Sequence, residues 1–287
     1  MPSDRMRVPV LCSAIVGLVV TCCGQNTPSA NNSGWRLVWS DEFNGPALDR
    51  SRWVPEMGGG GWGNQELEYY TDRDSNVSVQ NGNLVITARS EKYTGPDGVT
   101  RNYTSARLKT LGTFSQIYGR FEARIKLPAG EGMWPAFWIL GDDIERVGWP
   151  ACGEIDIMEN IGKEPSVIHG SIHGPGYTGE TGIEARYKLT GEQHFSDDFH
   201  IYAVEWDSDS ISFFVDHNLY VRRTRADLKP GWKWAFDKPF FLLLNVAVGG
   251  DWPGSPDATT IFPQRMLVDY VRVYRRSEPA TKQETRP

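Results

Sequence analysis

Along most of this chain, apolar residues fall at every second position or run unbroken, and no stretch carries an extended helical stripe free of β competition. The segment YGRFEARIKL, residues 118–127, alternates cleanly. It places Phe121, Ala123 and Ile125 on one side and Arg120, Glu122 and Arg124 on the other, the pattern of a half-buried strand. NLVITARS, FFLLLNVAV and MLVDYVRVYRR alternate or run in β-branched and aromatic residues. EWDSDSISFFVD reads as a strand, an Asp/Ser turn and a returning strand. Glycine and proline clusters such as EMGGGGWGN, YTGPDG and HGPGYTGETG mark loops. Many strands with turn punctuation predict an all-β sandwich or barrel.

The two ends break this pattern. Arg5 and Arg7 precede an apolar stretch over residues 8–20 and then small residues, the layout of an export signal over residues 1–24, too short for an ordinary membrane span. Cys22 and Cys23 follow small residues, as in a bacterial lipoprotein signal, so a lipid anchor at Cys22 or Cys23 competes with plain cleavage. Either outcome means an exported protein, secreted or held at the cell surface. Residues 25–33 read as a polar linker and 277–287 as a polar tail. Residues 34–276 lie between them without repeat or low-complexity break, which predicts one domain.

Composition narrows the partners. A net charge of −6 argues against nucleic acid, which selects basic surfaces. The 11 Trp residues supply flat apolar faces for core packing and for stacking on sugars. Cys152 alone lies outside the N-terminal segment, so the domain has no internal disulfide, and its apolar neighbours predict a small buried hydrophobe.

The chemistry concentrates in CGEIDIMENIG, residues 152–162. On a strand, Glu154 and Asp156 share one face while Ile155 and Ile157 share the other. Strict alternation would then drive Glu159 into the core, where an unpaired charge costs several kcal/mol. A β-bulge near Met158 resets the pleat and returns Glu159 to the face of Glu154 and Asp156. Like charges so close force at least one proton to be retained near neutrality, leaving a carboxylate beside a carboxylic acid. Retaining glycosidases use such a pair, about 5–5.5 Å apart. A solvated acidic face is the bland alternative, disfavoured by the apolar interleaving. A calcium site is another, although calcium more often draws on loop carbonyls and a glycine-bearing loop.

GEIDIMENIG resembles the active-site strand of family sixteen glycoside hydrolases in its bulged E-x-D-x-x-E form, the form of laminarinases and agarases. LVWSDEFNG, GNQELEYYT, GRFEARIKLPAGEGMWPAFWIL, FHIYAVEWDSDSISFFVD and LLLNVAVGGDWPG follow in the family's order, so the resemblance covers residues 35–275. It implies a β-jelly roll, a sandwich of two curved antiparallel sheets with a concave substrate cleft. It also implies a retaining endo-1,3-β-glucanase acting on laminarin-like polymers, with Glu154 as nucleophile, Glu159 as acid/base and Asp156 assisting. Asn64, Arg107, Trp134, Trp138, Trp149 and His173 match sugar-binding positions. Trp134 and Trp138 would be core instead if their face were turned inward, and His173 reads also as a framework residue. His169 receives no role. No cofactor is needed for catalysis; a structural calcium at Glu42, the Gly82 carbonyl and Asp269 is implied, with Asp269 also readable as a plain strand residue. The alternatives are an agarase-like or mixed-linkage hydrolase and a non-catalytic glucan-binding protein. A monomer suits a cleft that admits a polymer.

Overall fold

The computed structural model describes residues 34–277, so the export signal and lipid anchor expected at residues 1–24, the expected linker at 25–33 and the residues beyond Ser277 lie outside the described residues. The strands are β1 (Trp35–Asp41), β2 (Val54–Glu56), β3 (Glu68–Tyr70), β4 (Val77–Gln80), β5 (Asn83–Thr94), β6 (Thr100–Ser105), β7 (Arg107–Lys109), β8 (Gly119–Lys126) and β9 (Met133–Gly141). They continue as β10 (Glu154–Glu159), β11 (Val167–His173), β12 (Ile183–Lys188), β13 (His200–Trp206), β14 (Ser210–Val215), β15 (Asn218–Thr224), β16 (Phe240–Val248) and β17 (Gln264–Arg276).

These strands form two sheets. One follows the order β12-β11-β10-β9-β16-β7-β2, and the other β15-β14-β13-β8-β17-β5-β6-β3, with β1 added on β17 and β4 on β5. Only β3 against β6 is parallel among the described pairs. The predicted alternation of β8 holds: Phe121, Ala123 and Ile125 enter the core, while Arg120 and Glu122 pair on the opposite face. The predicted β13–β14 hairpin turns through Asp207, whose Oδ1 accepts the backbone N–H groups of Asp209 and Ser210.

Side chains from both sheets make one core. Ile155, Ile157 and Met158 of β10 join Phe137 and Ile139 of β9, Leu242 and Leu244 of β16, and Phe121, Val204 and Val271 of the facing sheet. Such layering buries the inner faces of both sheets and leaves each outer face to other uses. On the outer face of the seven-stranded sheet a smaller cluster of Leu140, Cys152, Phe241 and Leu243 covers one end. Cys152 is fully buried there, and burial pushes its thiol up to about 11, so it packs as a hydrophobe. Among the elements the sequence pattern does not mark are strand β12 and a single helical turn, α1 (Ile144–Val147), between β9 and β10.

Candidate active site

The bulge exists, and its register locates it. Asp156 faces Trp138 on β9 and Met158 faces the next residue, Phe137, so two steps on β10 oppose one on β9 and Ile157 is the unpaired residue. The ladder to β11 shifts over the same interval, from Asp156 opposite Ser171 to Glu159 opposite His169. Ile157 and Met158 are consequently both in the core, and Glu159 lies outside it. Gly162 ends the segment where a side chain is impossible: an added Cβ would lie 1.7 Å from the Gly130 carbonyl oxygen.

Each catalytic candidate has its own partner. The Trp149 indole N–H donates to Glu154 Oε2 at 2.8 Å, and the Trp134 indole N–H donates to Glu159 Oε1 at 2.9 Å. An indole only donates, so both bonds favour the ionised carboxylate. His173 Nε2 lies 3.1 Å from Asp156 Oδ2 and 4.0 Å from Glu154 Oε1. Burial, then the charge of Asp156, pushes Glu154 up to about 8. Burial pushes Asp156 up to about 7, against a hydrogen bond with Glu154 that pulls the other way. Glu159 is raised by burial and by Asp156, with His173 and the Trp134 N–H opposing. Protons so closely linked belong to the group of carboxylates and not to single residues. Near neutrality the site therefore holds both a proton and a negative charge.

The sugar-binding candidates gather on the same sheet face. Trp134, Ala136 and Trp138 alternate along β9 beside Glu159 and Asp156, with the small Ala136 directly opposite Glu159. The Trp138 indole donates to Asn245 Oδ1 at 2.8 Å, and its half-buried ring packs against the smaller cluster on the outer face instead of entering the core between the sheets. Arg107 is bound to Glu56 at 2.6 Å and lies 4.7 Å from the ring centres of both Trp62 and Trp138. That sandwich holds a cation between two aromatic faces. Asn64 is exposed and one layer removed: its amide donates to Glu66, which accepts from Tyr70, whose hydroxyl accepts from Asn245. Trp149 is 49% exposed beside Glu154, a position open to a ligand.

Sequence reasoning missed Trp252, Asn245, Trp62 and Glu56. Trp252 stands edge-on to Trp134, with ring centres 5.3 Å apart. It sits in a glycine- and proline-rich loop where no periodicity marks it.

The implied calcium site takes a different form. Arg272 donates to both oxygens of Glu42, at 2.9 and 2.7 Å, and Arg124 donates to Asp269 at 2.8 Å. Two carboxylates already neutralised by arginines and one Gly82 carbonyl fall short of the six to eight oxygens that calcium takes, so these side chains do not fit the ion as they stand. Among the described residues, Glu154, Asp156 and His173 do converge, with ligand-type atoms within 4.8 Å of one another, but these are the proton-handling groups above.

Replacing Trp134 with Phe tests the coupling of the indole to Glu159. The ring remains, the donor is lost, and kcat should fall about tenfold, the scale of a hydrogen bond to a charged group. Because that bond favours the Glu159 anion, its loss should move the alkaline limb of the rate profile to higher pH. An unchanged limb would separate Trp134 from the titrating acid.

Residues 64–272 match the profile of glycosyl hydrolases family 16, and the chain belongs to that family. It is therefore a glycoside hydrolase with a β-jelly-roll fold. It is 47% identical over 253 residues to a beta-glucanase of Rhodothermus marinus, covering 84% of this chain and 85% of that one. The laminarinase catalytic domain of Thermotoga maritima superposes with a TM-score of 0.81 at 52% identity, covering 85% of this chain and 99% of that one. The endo-beta-1,3-glucanase of Pyrococcus furiosus superposes with a TM-score of 0.82 at 51% identity, covering 85% and 96% respectively.

Proposed function

We propose that this protein is a retaining endo-hydrolase of β-1,3-glucan. The observation that carries the reading is the bulged strand, which puts Glu154 and Glu159 on one tryptophan-lined sheet face, each with its own indole donor. The laminarinase and endo-beta-1,3-glucanase structures it resembles supply the substrate class.

In this mechanism Glu154 attacks the anomeric carbon as a carboxylate. Glu159, kept protonated by burial and by its acidic neighbours, donates that proton to the departing glycosidic oxygen. A covalent glycosyl-enzyme results; water, deprotonated by Glu159, then cleaves it with overall retention. Asp156 shares its proton with Glu154 and moderates the charge on the nucleophile, with His173 beside both. Trp134 and Trp138 wall the sugar chain on one side of the cleavage point, and Trp149 flanks it at Glu154. Arg107 and Asn64 supply polar contacts farther along the face.

The test is product analysis on laminarin, agarose, lichenan and carboxymethylcellulose side by side, with the anomer released from laminarin followed by proton NMR. A ladder of short oligosaccharides from laminarin, first appearing as the β-anomer, is the expected result. Binding of laminarin without products would make the protein a glucan-recognition module. Products chiefly from agarose would reassign its substrate.

Residues 1–24 support an exported protein, and Cys22 or Cys23 a lipid anchor at the cell surface. Among the described residues no helix is long and apolar enough to cross a membrane.

A further inference from the structure

His169 is fully buried on β11, directly opposite Glu159 in the ladder to β10. Its Nδ1 lies 2.8 Å from Glu184 Oε1 on β12, and its Nε2 lies 3.0 Å from Glu164 Oε2 in the loop before β11. Ionised carboxylates only accept, so both contacts are hydrogen bonds only when each ring nitrogen carries a proton. Arg186 completes the cluster, 2.8 Å from Glu184 and 3.8 Å from Glu164. The His169 hydrogen bond, aided by Arg186, holds the Glu184 carboxyl down to about 2. Two acids thus face two bases, and the buried ring is gripped on both sides.

Tying a loop to a strand would account for the ion pairs but not for where the ring lies. The imidazole stands edge-on to Trp252, with ring centres 4.8 Å apart at 84°. Trp252 in turn meets Trp134 edge-on at 85°, and Trp134 donates to Glu159. Lys163 fixes the same segment from below by donating to the Trp252 carbonyl at 2.7 Å. The contacts therefore run unbroken from the clamped histidine to the acid/base.

We infer that His169 is a positioning residue for Glu159: clamped between Glu164 and Glu184, its ring sets Trp252 against Trp134 and so holds the Trp134 N–H on the acid/base carboxylate. This role rests on the assignment of Glu159 made above. The groups facing the ring are Glu164 and Glu184, with Arg186 bridging them. Glu159 lies directly opposite His169 in the ladder, and the two indoles supply the side-chain route from the ring to its carboxylate.

The experiment compares His169→Gln, Trp134→Phe and the double variant in the otherwise intact protein, by kcat, KM and pH profile on laminarin. Glutamine reproduces at most one of the two bonds and no charge. His169→Gln should lower kcat about tenfold, the scale of coupling through packed residues. KM should change less, and the alkaline limb should move to higher pH, as for Trp134→Phe. In the double variant the limb should move no further than in Trp134→Phe alone, because both changes act on one bond. If His169→Gln does not fold, Glu184→Gln at the half-exposed rim frees one side of the ring and should give a smaller shift in the same direction. A fall in melting temperature with an unmoved limb would make His169 structural only and overturn the role. So would shifts that add in the double variant. If Trp134→Phe itself leaves the limb in place while His169→Gln moves it, the route through Trp134 is wrong. If neither moves it, the assignment of Glu159 fails, and the positioning role fails with it.

Discussion

Glu154→Gln is expected to lower the hydrolysis rate by about 10⁴-fold or more, the scale of losing a covalent nucleophile. It should do so while making the protein more stable. The folded-state value for Glu154, about 8, lies above the ordinary 4.5. A group raised in this way favours the folded state fully below its unfolded value and loses that contribution as pH rises through its folded value. Wild type should therefore weaken between about pH 4.5 and 8 relative to the glutamine variant. The difference should level off above that window at about 5 kcal/mol, an order-of-magnitude figure for a shift of this size. The glutamine carbonyl still accepts from the Trp149 N–H, so laminarin affinity should largely survive. Urea denaturation of both proteins at pH 5 and pH 9, beside laminarin assays, checks all three expectations. A variant with near-normal turnover would remove Glu154 from the chemistry. A stability difference independent of pH would mean that Asp156 and burial do not act on this carboxyl as the geometry requires.

Deleting Met158 should have the largest effect on the fold. The bulge gives β10 one residue more than β9 over this interval, and both Ile157 and Met158 use it to reach the core. With Met158 removed, the pleat becomes regular and Glu159, now four positions from Glu154, stays on its face, while the core loses the Met158 side chain and the chain to Gly162 is one residue shorter. Losing a buried methionine side chain costs about 2–5 kcal/mol, against a total stability of about 5–15 kcal/mol for an ordinary domain. A clear fall in melting temperature, with lower activity because Glu159 is shifted against its Trp134 donor, is the expected outcome. Met158→Leu, which nearly conserves volume, should cost less than about 1.5 kcal/mol and keep activity, showing that the register and not the methionine matters. A deletion variant as stable and as active as the wild type would contradict the bulge account.

The legible parts of this protein are those where local pattern and burial conflict or agree within a few residues. EIDIMEN contains its own contradiction, a glutamate assigned to the core, and only a bulge resolves it; the register shows one, with Ile157 as the unpaired residue. The alternation of β8 needed nothing beyond itself. By contrast, IEARYK on β12 also alternates, but it is short and follows a glycine-rich loop that masks its start. Other features depend on pairings across the chain. Glu56 meets Arg107 across a separation of 51 residues, and Trp138 meets Asn245 across 107. His169 shares a strand face with His173 in any reading of the sequence, yet its clamp exists only because the β11–β12 register brings Glu184 to it. The calcium positions show the converse. Residue types suited to a cation were visible, whereas the arginines that occupy their oxygens come from β8 and β17.

The most direct measurement is to trap the glycosyl-enzyme. The wild-type protein would be incubated with a 2-fluoro laminari-oligosaccharide bearing a good leaving group, then digested and mapped by mass spectrometry. The account predicts one added glycosyl unit on the peptide containing residues 152–162, with fragmentation placing it on Glu154. A label on Glu159 or Asp156, or hydrolysis of laminarin with inversion and no trapped adduct, would contradict it.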